Sequence, residues 1–157
     1  MVWKPDVTVA AVIERSGRFL LVEERIRGRL VLNQPAGHLE DGESLLEAVV
    51  RETLEETAWH FTPESLLGIY QWRSPRGHST LRFAFTGSVQ SHDAARPLDP
   101  PVVATHWFAR ADIAQRVAQL RTPLVLRCID DWLAGRRLPL DALTAEFSDP
   151  GLSVKVP

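Results

Sequence analysis

The order of the predicted elements indicates a mixed α/β or α+β domain. Strand-like runs rich in β-branched residues lie on both sides of an amphipathic helix, and a second helix follows the last strand. The chain has 157 residues, of which 45% are hydrophobic, which is enough to build one core without disulfides. We therefore expect a single domain spanning residues 1–157.

The first elements are predicted to be strands. Residues 7–13 and 19–23 are apolar runs separated by Arg15, Ser16 and Gly17, a sequence typical of a turn, so a hairpin is expected. Another strand is expected around residues 30–32. Residues 33–38 contain Pro35 and Gly37, which interrupt regular structure before the helix.

The central helix has a clear start. Ser44 followed three residues later by Glu47 forms the pattern of a capping box, in which each side chain satisfies a backbone N–H of the other residue. After the helix, residues 66–72 and 80–89 are predicted strands, joined by the turn formers of residues 74–78. This pair is expected to form another hairpin.

The last third of the chain contains a loop, a strand and a helix. Residues 90–101 are polar and rich in proline, whereas residues 102–108 form a short apolar run that could complete the sheet. Thr122 as N-cap, Pro123 in the first turn and Gly135 after the end predict a helix over residues 123–134. Residues 136–157 show no clear pattern.

Composition excludes several classes of partner. A formal net charge of −2 gives no electrostatic reason to bind a nucleic-acid polymer or an anionic membrane. No apolar stretch approaches the roughly 18 residues of a membrane span. Cys128 is the only cysteine and is expected to be buried, as are Trp3, Trp107 and Trp132. We expect a cytoplasmic, soluble protein that acts as a monomer on a small molecule.

The central helix concentrates negative charge. At about 100° per residue, Glu52, Glu55 and Glu56 fall within roughly a quarter turn. Like charges at this spacing destabilise an exposed helix by about 0.2–0.5 kcal/mol per pair, whereas a divalent cation would reverse that effect. A solvated acidic face is the alternative interpretation.

The spacing around this helix resembles a known motif. Residues 37–59 read GHLEDGESLLEAVVRETLEETAW, and they resemble the Nudix box, G-x5-E-x7-R-E-U-x-E-E-x-G-U, where U is a bulky aliphatic residue. The matching residues are Gly37, Glu43, Arg51, Glu52, Glu55 and Glu56. Thr53 stands at the first bulky position, and Ala58 replaces the second glycine. Ala58 would cost about 1 kcal/mol if its backbone had to be left-handed.

The resemblance implies a fold, a cofactor and a reaction. The Nudix fold is an α/β/α sandwich around a mixed β-sheet, and the reaction is hydrolysis of a phosphoanhydride with magnesium, or alternatively manganese. The implied catalytic residues are Glu43, Arg51, Glu52, Glu55 and Glu56. Of these, Glu52, Glu55 and Glu56 would bind the metal together with the Gly37 carbonyl. Glu52 is our first choice as general base, although members of the family differ in this role.

The similarity extends beyond the box to bacterial phosphatases of the same family, through KPDVTVAAVIE, LNQPAGHLE, YQWRSP, LRFAF and LRTPLV. It implies release of the terminal phosphate from nucleoside tri- and diphosphates and from hydroxymethylpyrimidine diphosphate. Internal cleavage to pyrophosphate and a non-catalytic ligand sensor are the alternatives. Trp72, Arg73 and Arg82 are candidates for substrate binding by stacking and charge, with a core position as the alternative for Trp72.

Overall fold

The computed structural model describes residues 2–147, and within them eight strands form two sheets. The strands are β1 (Asp6–Val12), β2 (Glu14–Arg15), β3 (Arg18–Ile26), β4 (Arg29–Asn33), β5 (Ala36–His38), β6 (Trp59–Arg73), β7 (Ser79–His92) and β8 (Val102–Ala109). The α-helices are α1 (Leu45–Thr57), α2 (Arg110–Ala114) and α3 (Leu124–Leu133). Short 3₁₀ turns occur at Val117–Gln119 and Leu140–Ala142.

The first sheet is mixed and lies between two helices. Its order is β5-β1-β7-β6, with β1 parallel to β7 and the other neighbours antiparallel. Because successive side chains of a strand point to opposite faces, Val9 and Ala11 pack in the core that contains α1, while Ala10 and Val12 pack in the core that contains α3. The expected α/β/α sandwich around a mixed sheet is confirmed.

The second sheet is built around β3, which pairs with β2, β4 and β8. The strand predicted at residues 102–108 therefore completes this sheet. The hairpin predicted from residues 7–13 and 19–23 is wrong in part, because β1 pairs with β5 and β7, and only β2 pairs back with β3. Residues 9–13 are buried on both faces, so this strand needs a central place in a covered sheet.

The predicted start of α1 is confirmed, whereas α3 has Pro123 and not Thr122 as its N-cap and begins at Leu124, one residue later than predicted. Ser44 and Glu47 form the capping box at the start of α1. Ala58 ends the helix with a left-handed backbone at φ 59°, the conformation for which the motif carries glycine. At α3, the Leu124 N–H donates to Thr122 Oγ1 at 3.2 Å, and Gly135 has a φ of 82° after the helix.

The remaining predictions from the sequence are confirmed only in part. The β6–β7 hairpin is confirmed and longer than predicted, whereas α2 was not predicted. Trp3 is 63% exposed, so its predicted core position is wrong, while Cys128 is buried as expected. Residues 148–157 of the unpatterned tail, and with them the end of the expected domain, lie outside the described residues. Within residues 2–147, no helix is both long and apolar enough to cross a lipid bilayer.

Candidate active site

The acidic helix faces a cavity of about 520 Å³. Glu52 and Glu56, one turn apart on α1, line it together with Gly37 of β5. Glu55 is not among the lining residues, and its side chain is 28% exposed. The packing of α1 against β5 therefore brings two of the three predicted carboxylates to the cavity wall.

Arg51 connects the helix to the preceding loop. Its Nε and Nη2 donate to the two oxygens of Glu43 at 3.0 and 2.6 Å, a bidentate pair that fixes both groups. Its Nη1 donates to Glu52 at 2.9 Å and to Glu55 at 3.2 Å. The hydrogen bond from Arg51 holds the pKa of Glu43 below its usual value. Glu43 and Arg51 are thus placed to orient Glu52.

Glu56 is the most deeply buried of these acids, with 8% of its surface exposed. Its Oε2 accepts a hydrogen bond from the Ala36 N–H at 2.9 Å. Burial raises the pKa of Glu56 to about 8, against the lowering effect of that bond, and the nearby charges of Glu24 and Glu52 raise it further. Burial also raises the pKa of Glu52, although Arg51 opposes the change. Both carboxyls therefore lie where negative charge is poorly solvated.

Gly37 is required by the close approach of Glu52. A Cβ atom at position 37 would lie 2.0 Å from the Cδ and Oε1 atoms of the Glu52 carboxylate. Any side chain here would displace that carboxylate. The glycine of the motif thus allows the backbone of the loop to contact the functional end of α1.

Two of the predicted substrate-binding residues line the same cavity. Trp72 is partly buried there, and Arg82 is 5% exposed. Arg82 donates through Nη1 to Gln34 at 3.2 Å and through Nη2 to Asn33 at 3.4 Å. Arg73 is exposed and is not among the lining residues, because alternation along β6 directs it to the face opposite Trp72.

Two further charged residues on the cavity wall were not predicted from the sequence. Glu24, at 2% exposure, and Arg121 form an ion pair across 97 positions of sequence. Because the predicted strand stopped at Glu23, the alternation of β3 was not followed to Glu24. Arg121 precedes α3 in a turn, where local patterns carry no information about a partner in β3.

The donor set suits a hard cation that keeps part of its hydration shell. Within residues 2–147, no three His, Cys, Asp or Glu side chains converge closely enough to hold a metal ion by themselves. Glu52 and Glu56 nevertheless bring two desolvated carboxyls with raised pKa values to one wall, beside a glycine backbone. Magnesium commonly uses one or two carboxylates with water and substrate phosphate oxygens.

Comparisons with known proteins agree with this arrangement. The family model of the NUDIX domain matches residues 3–128. The protein named Phosphatase NudJ of Escherichia coli strain K12 is 39% identical over 148 residues, which cover 94% of this chain and 95% of that protein. A solved NUDIX hydrolase from Nitrosomonas europaea is 52% identical with a TM-score of 0.89, covering 91% of this chain and 98% of the other.

A more distant match supports the fold alone. The NUDIX domain of NrtR from Shewanella oneidensis, solved in complex with ADP ribose, is 22% identical with a TM-score of 0.69 and covers 85% of this chain and 90% of that chain. The family model, together with the similarity to a phosphatase and to a solved NUDIX hydrolase, defines an enzyme of the hydrolase class. The chain belongs to the NUDIX family, and it is similar to the phosphatase NudJ.

Proposed function

We propose that the protein is a magnesium-dependent hydrolase that removes the terminal phosphate of nucleoside tri- and diphosphates and of hydroxymethylpyrimidine diphosphate. The observation that carries this proposal is the pair of carboxyls, partly buried Glu52 and buried Glu56, on the wall of a cavity that also exposes Trp72. The similarity to NudJ, which extends over 94% of the chain, supports phosphatase activity on small substrates.

The proposed metal ligands are Glu52, Glu56 and the Gly37 carbonyl, with Glu55 as a further carboxylate and manganese as the alternative metal. Magnesium held by these residues would supply positive charge to the phosphoanhydride oxygens and would make the attacking water more acidic. Glu55 bonds to Arg51 in this structure, so its participation requires a change of rotamer. Glu43 holds Arg51, and Arg51 in turn orients Glu52.

Glu52 is the proposed proton acceptor. Its carboxylate lines the cavity, and burial brings its pKa closer to the working pH, which improves a general base. Glu56 is instead fixed by the Ala36 N–H, an arrangement suited to a stationary ligand. These environments support the proposal that Glu52 accepts the proton in addition to binding the metal, whereas Glu56 acts only as a metal ligand.

Trp72 and Arg82 are the proposed contacts to the organic part of the substrate. The cavity volume of about 520 Å³ is in the range of small-molecule sites. Arg82 is held by Asn33 and Gln34, so it forms a rigid floor to the cavity, whereas the ring of Trp72 offers a flat stacking surface. Arg73 is not part of the proposed site.

Replacing Glu56 by Gln tests the proposal. The variant keeps the shape of the side chain and an acceptor for the Ala36 N–H but loses a charged ligand. Turnover of a nucleoside diphosphate at saturating magnesium should fall by at least about 10²-fold, a loss of roughly 2.7 kcal/mol. Glu64→Gln, an exposed change on β6, should leave turnover unchanged.

Wild-type turnover should also vanish in chelator and return when magnesium is added. Near-normal turnover by Glu56→Gln would remove this residue from the metal site. Absence of hydrolysis across di- and triphosphates in the folded, magnesium-saturated wild type would instead favour a ligand sensor.

A further inference from the structure

Arg121 lies on the cavity wall in a segment tied to the second sheet. Its backbone N–H donates to the Leu32 carbonyl at 2.9 Å, and the preceding residue, Leu120, forms a bridge with Leu32 at the end of β4. The turn before α3 is therefore attached to β4 of the second sheet. This attachment fixes the base of the Arg121 side chain.

The guanidinium of Arg121 forms one ion pair, and several of its N–H donors are not used in it. Its Nη1 bonds to Glu24 Oε1, which is the only side-chain partner of Arg121 within residues 2–147. The Glu24 side chain is 2% exposed, whereas that of Arg121 is 43% exposed. Because a guanidinium carries five N–H donors, most of them stay available to a ligand.

Glu24 is held in place by its strand. The pairing of β3 with β8 shifts register between Glu23 and Glu24, an irregularity that redirects side chains beside functional sites. The second carboxylate oxygen, Oε2, is buried without a hydrogen-bond partner. A carboxylate this deeply buried needs an opposite charge beside it, and Arg121 supplies that charge.

The charge around the cavity is unbalanced toward the negative. Glu24, Glu52 and Glu56 all line it. The lining arginines are Arg82, which is 5% exposed with both terminal nitrogens bonded to amides, and Arg121. Arg121 is therefore the lining arginine that a dissolved anion can reach.

We propose that Arg121 binds a phosphate oxygen of the substrate, and that Glu24 is a positioning residue that holds its guanidinium toward the cavity. This inference rests on the proposed function, because it requires a phosphorylated ligand in this cavity. A phosphate beside the five acidic residues of the cavity, Asp6, Glu24, Glu40, Glu52 and Glu56, gains from a fixed cation. A planar guanidinium can contact two of its oxygens at once. Because the ion pair with Glu24 already restricts the Arg121 side chain, less conformational entropy is lost when a phosphate binds.

Binding of non-hydrolysable analogues tests the contact directly. Calorimetric affinities are measured for methylenediphosphonate and for α,β-methylene-ADP, both with magnesium. Arg121→Ala should weaken both by about 10–100-fold, the range for a lost hydrogen bond between charged groups. Arg121→Lys should recover part of the affinity. Arg110→Ala is the matched control. The Arg110 side chain is 43% exposed, like that of Arg121, and it forms an ion pair with a carboxylate, that of Asp130, but it does not line the cavity.

Comparison of the two analogues separates affinity for the phosphate groups from affinity for the nucleoside. Unchanged binding of methylenediphosphonate by Arg121→Ala would overturn the inference, including the case in which only the nucleoside analogue binds less tightly. If the wild type binds neither analogue and hydrolyses no diphosphate, the proposed function fails as well. Wild-type binding with no effect of the variant removes the inference alone.

A second variant distinguishes a loss of binding from a loss of folding. Arg121→Ala leaves the Glu24 charge buried and should lower the melting temperature, whereas the double variant Glu24→Gln, Arg121→Ala should recover stability. Affinity for methylenediphosphonate should stay low in the double variant. Recovery of affinity along with stability would show that Arg121 acts only structurally. Glu24→Gln alone should raise KM for a diphosphate more than it lowers kcat.

Discussion

At the scale of single residues, Gly37 and Glu52 depend on each other. Gly37→Ala would place a methyl group 2.0 Å from the Glu52 carboxylate, so the carboxylate must move. The obstacle is a side chain, and the fold should therefore survive. We expect turnover to fall by at least about 10²-fold, as for the loss of a catalytic group. Kinetics and circular dichroism of the variant check both parts, and normal turnover would contradict the required contact.

Glu56 should make the stability of the metal-free protein depend on pH. Its pKa is about 8 in the folded chain against an ordinary value of 4.5, so the folded state holds a proton that the unfolded state releases between these values. The stabilisation by this proton is complete below pH 4.5 and is lost as the pH rises through 8. The slope should reach at most about 1.4 kcal/mol per pH unit.

Urea unfolding in chelator at pH 5 and pH 8 measures this dependence. Glu56→Gln cannot titrate, so its stability should fall less between the two pH values than that of the wild type. Groups common to both proteins cancel in the comparison. Equal losses in the two proteins would show that Glu56 is already ionised at pH 5.

Trp72 is expected to stack on a ring of the substrate. Trp72→Ala should raise KM by roughly 5–150-fold, corresponding to about 1–3 kcal/mol for stacking on a base. The side chain also packs against the core that contains α3, so melting must be measured alongside kinetics. A folded variant with unchanged KM would assign Trp72 to the core.

The box residues could be predicted from the sequence because they lie in one continuous segment, from β5 through a loop to α1. The resemblance to the motif implies a shared role for Glu43 and Arg51, and the structure pairs them. Glu24 and Arg121 could not be paired in this way, since 97 positions separate them and only the assembled sheets join them. The exposed position of Arg73 likewise depends on the register of β6, which its segment does not reveal.

At the scale of elements, the capping box fixes the start of the helix that carries the glutamates. Ser44→Ala removes the side-chain acceptor for the Glu47 N–H and should lower the free energy of unfolding by about 1 kcal/mol. Because Glu52 and Glu56 lie two to three turns further along α1, kcat should change little. Ser91→Ala, an exposed change on β7, should alter stability by less than about 0.5 kcal/mol. Equal effects of the two changes would contradict the capping role.

Helix ends were predictable because capping is a local interaction between neighbouring residues. Strand partners were not, as β1 shows. Residues 7–13 and 19–23 fit a hairpin locally, yet the buried strand pairs with β5 and β7 from distant parts of the sequence. Burial on both faces, which a β-branched run without polar alternation indicates, was the available signal.

At the scale of the whole molecule, the site forms where two sheets and two helices meet. The first sheet supplies Gly37, Trp72 and Arg82, and α1 adds the carboxylates. The second sheet and the turn before α3 close the cavity with Glu24 and Arg121. Glu52 and Glu56 therefore come to the cavity from the motif, whereas Glu24 and Arg121 are residues that the motif does not contain.

This division makes the bond that is cleaved the central question, because the proposed metal ligands and general base of the motif would not by themselves select a phosphate. The first products formed from a nucleoside triphosphate with magnesium, without added pyrophosphatase, decide it most directly. Nucleoside diphosphate with orthophosphate as the initial pair is the predicted result. Nucleoside monophosphate with pyrophosphate as the initial pair would contradict terminal cleavage.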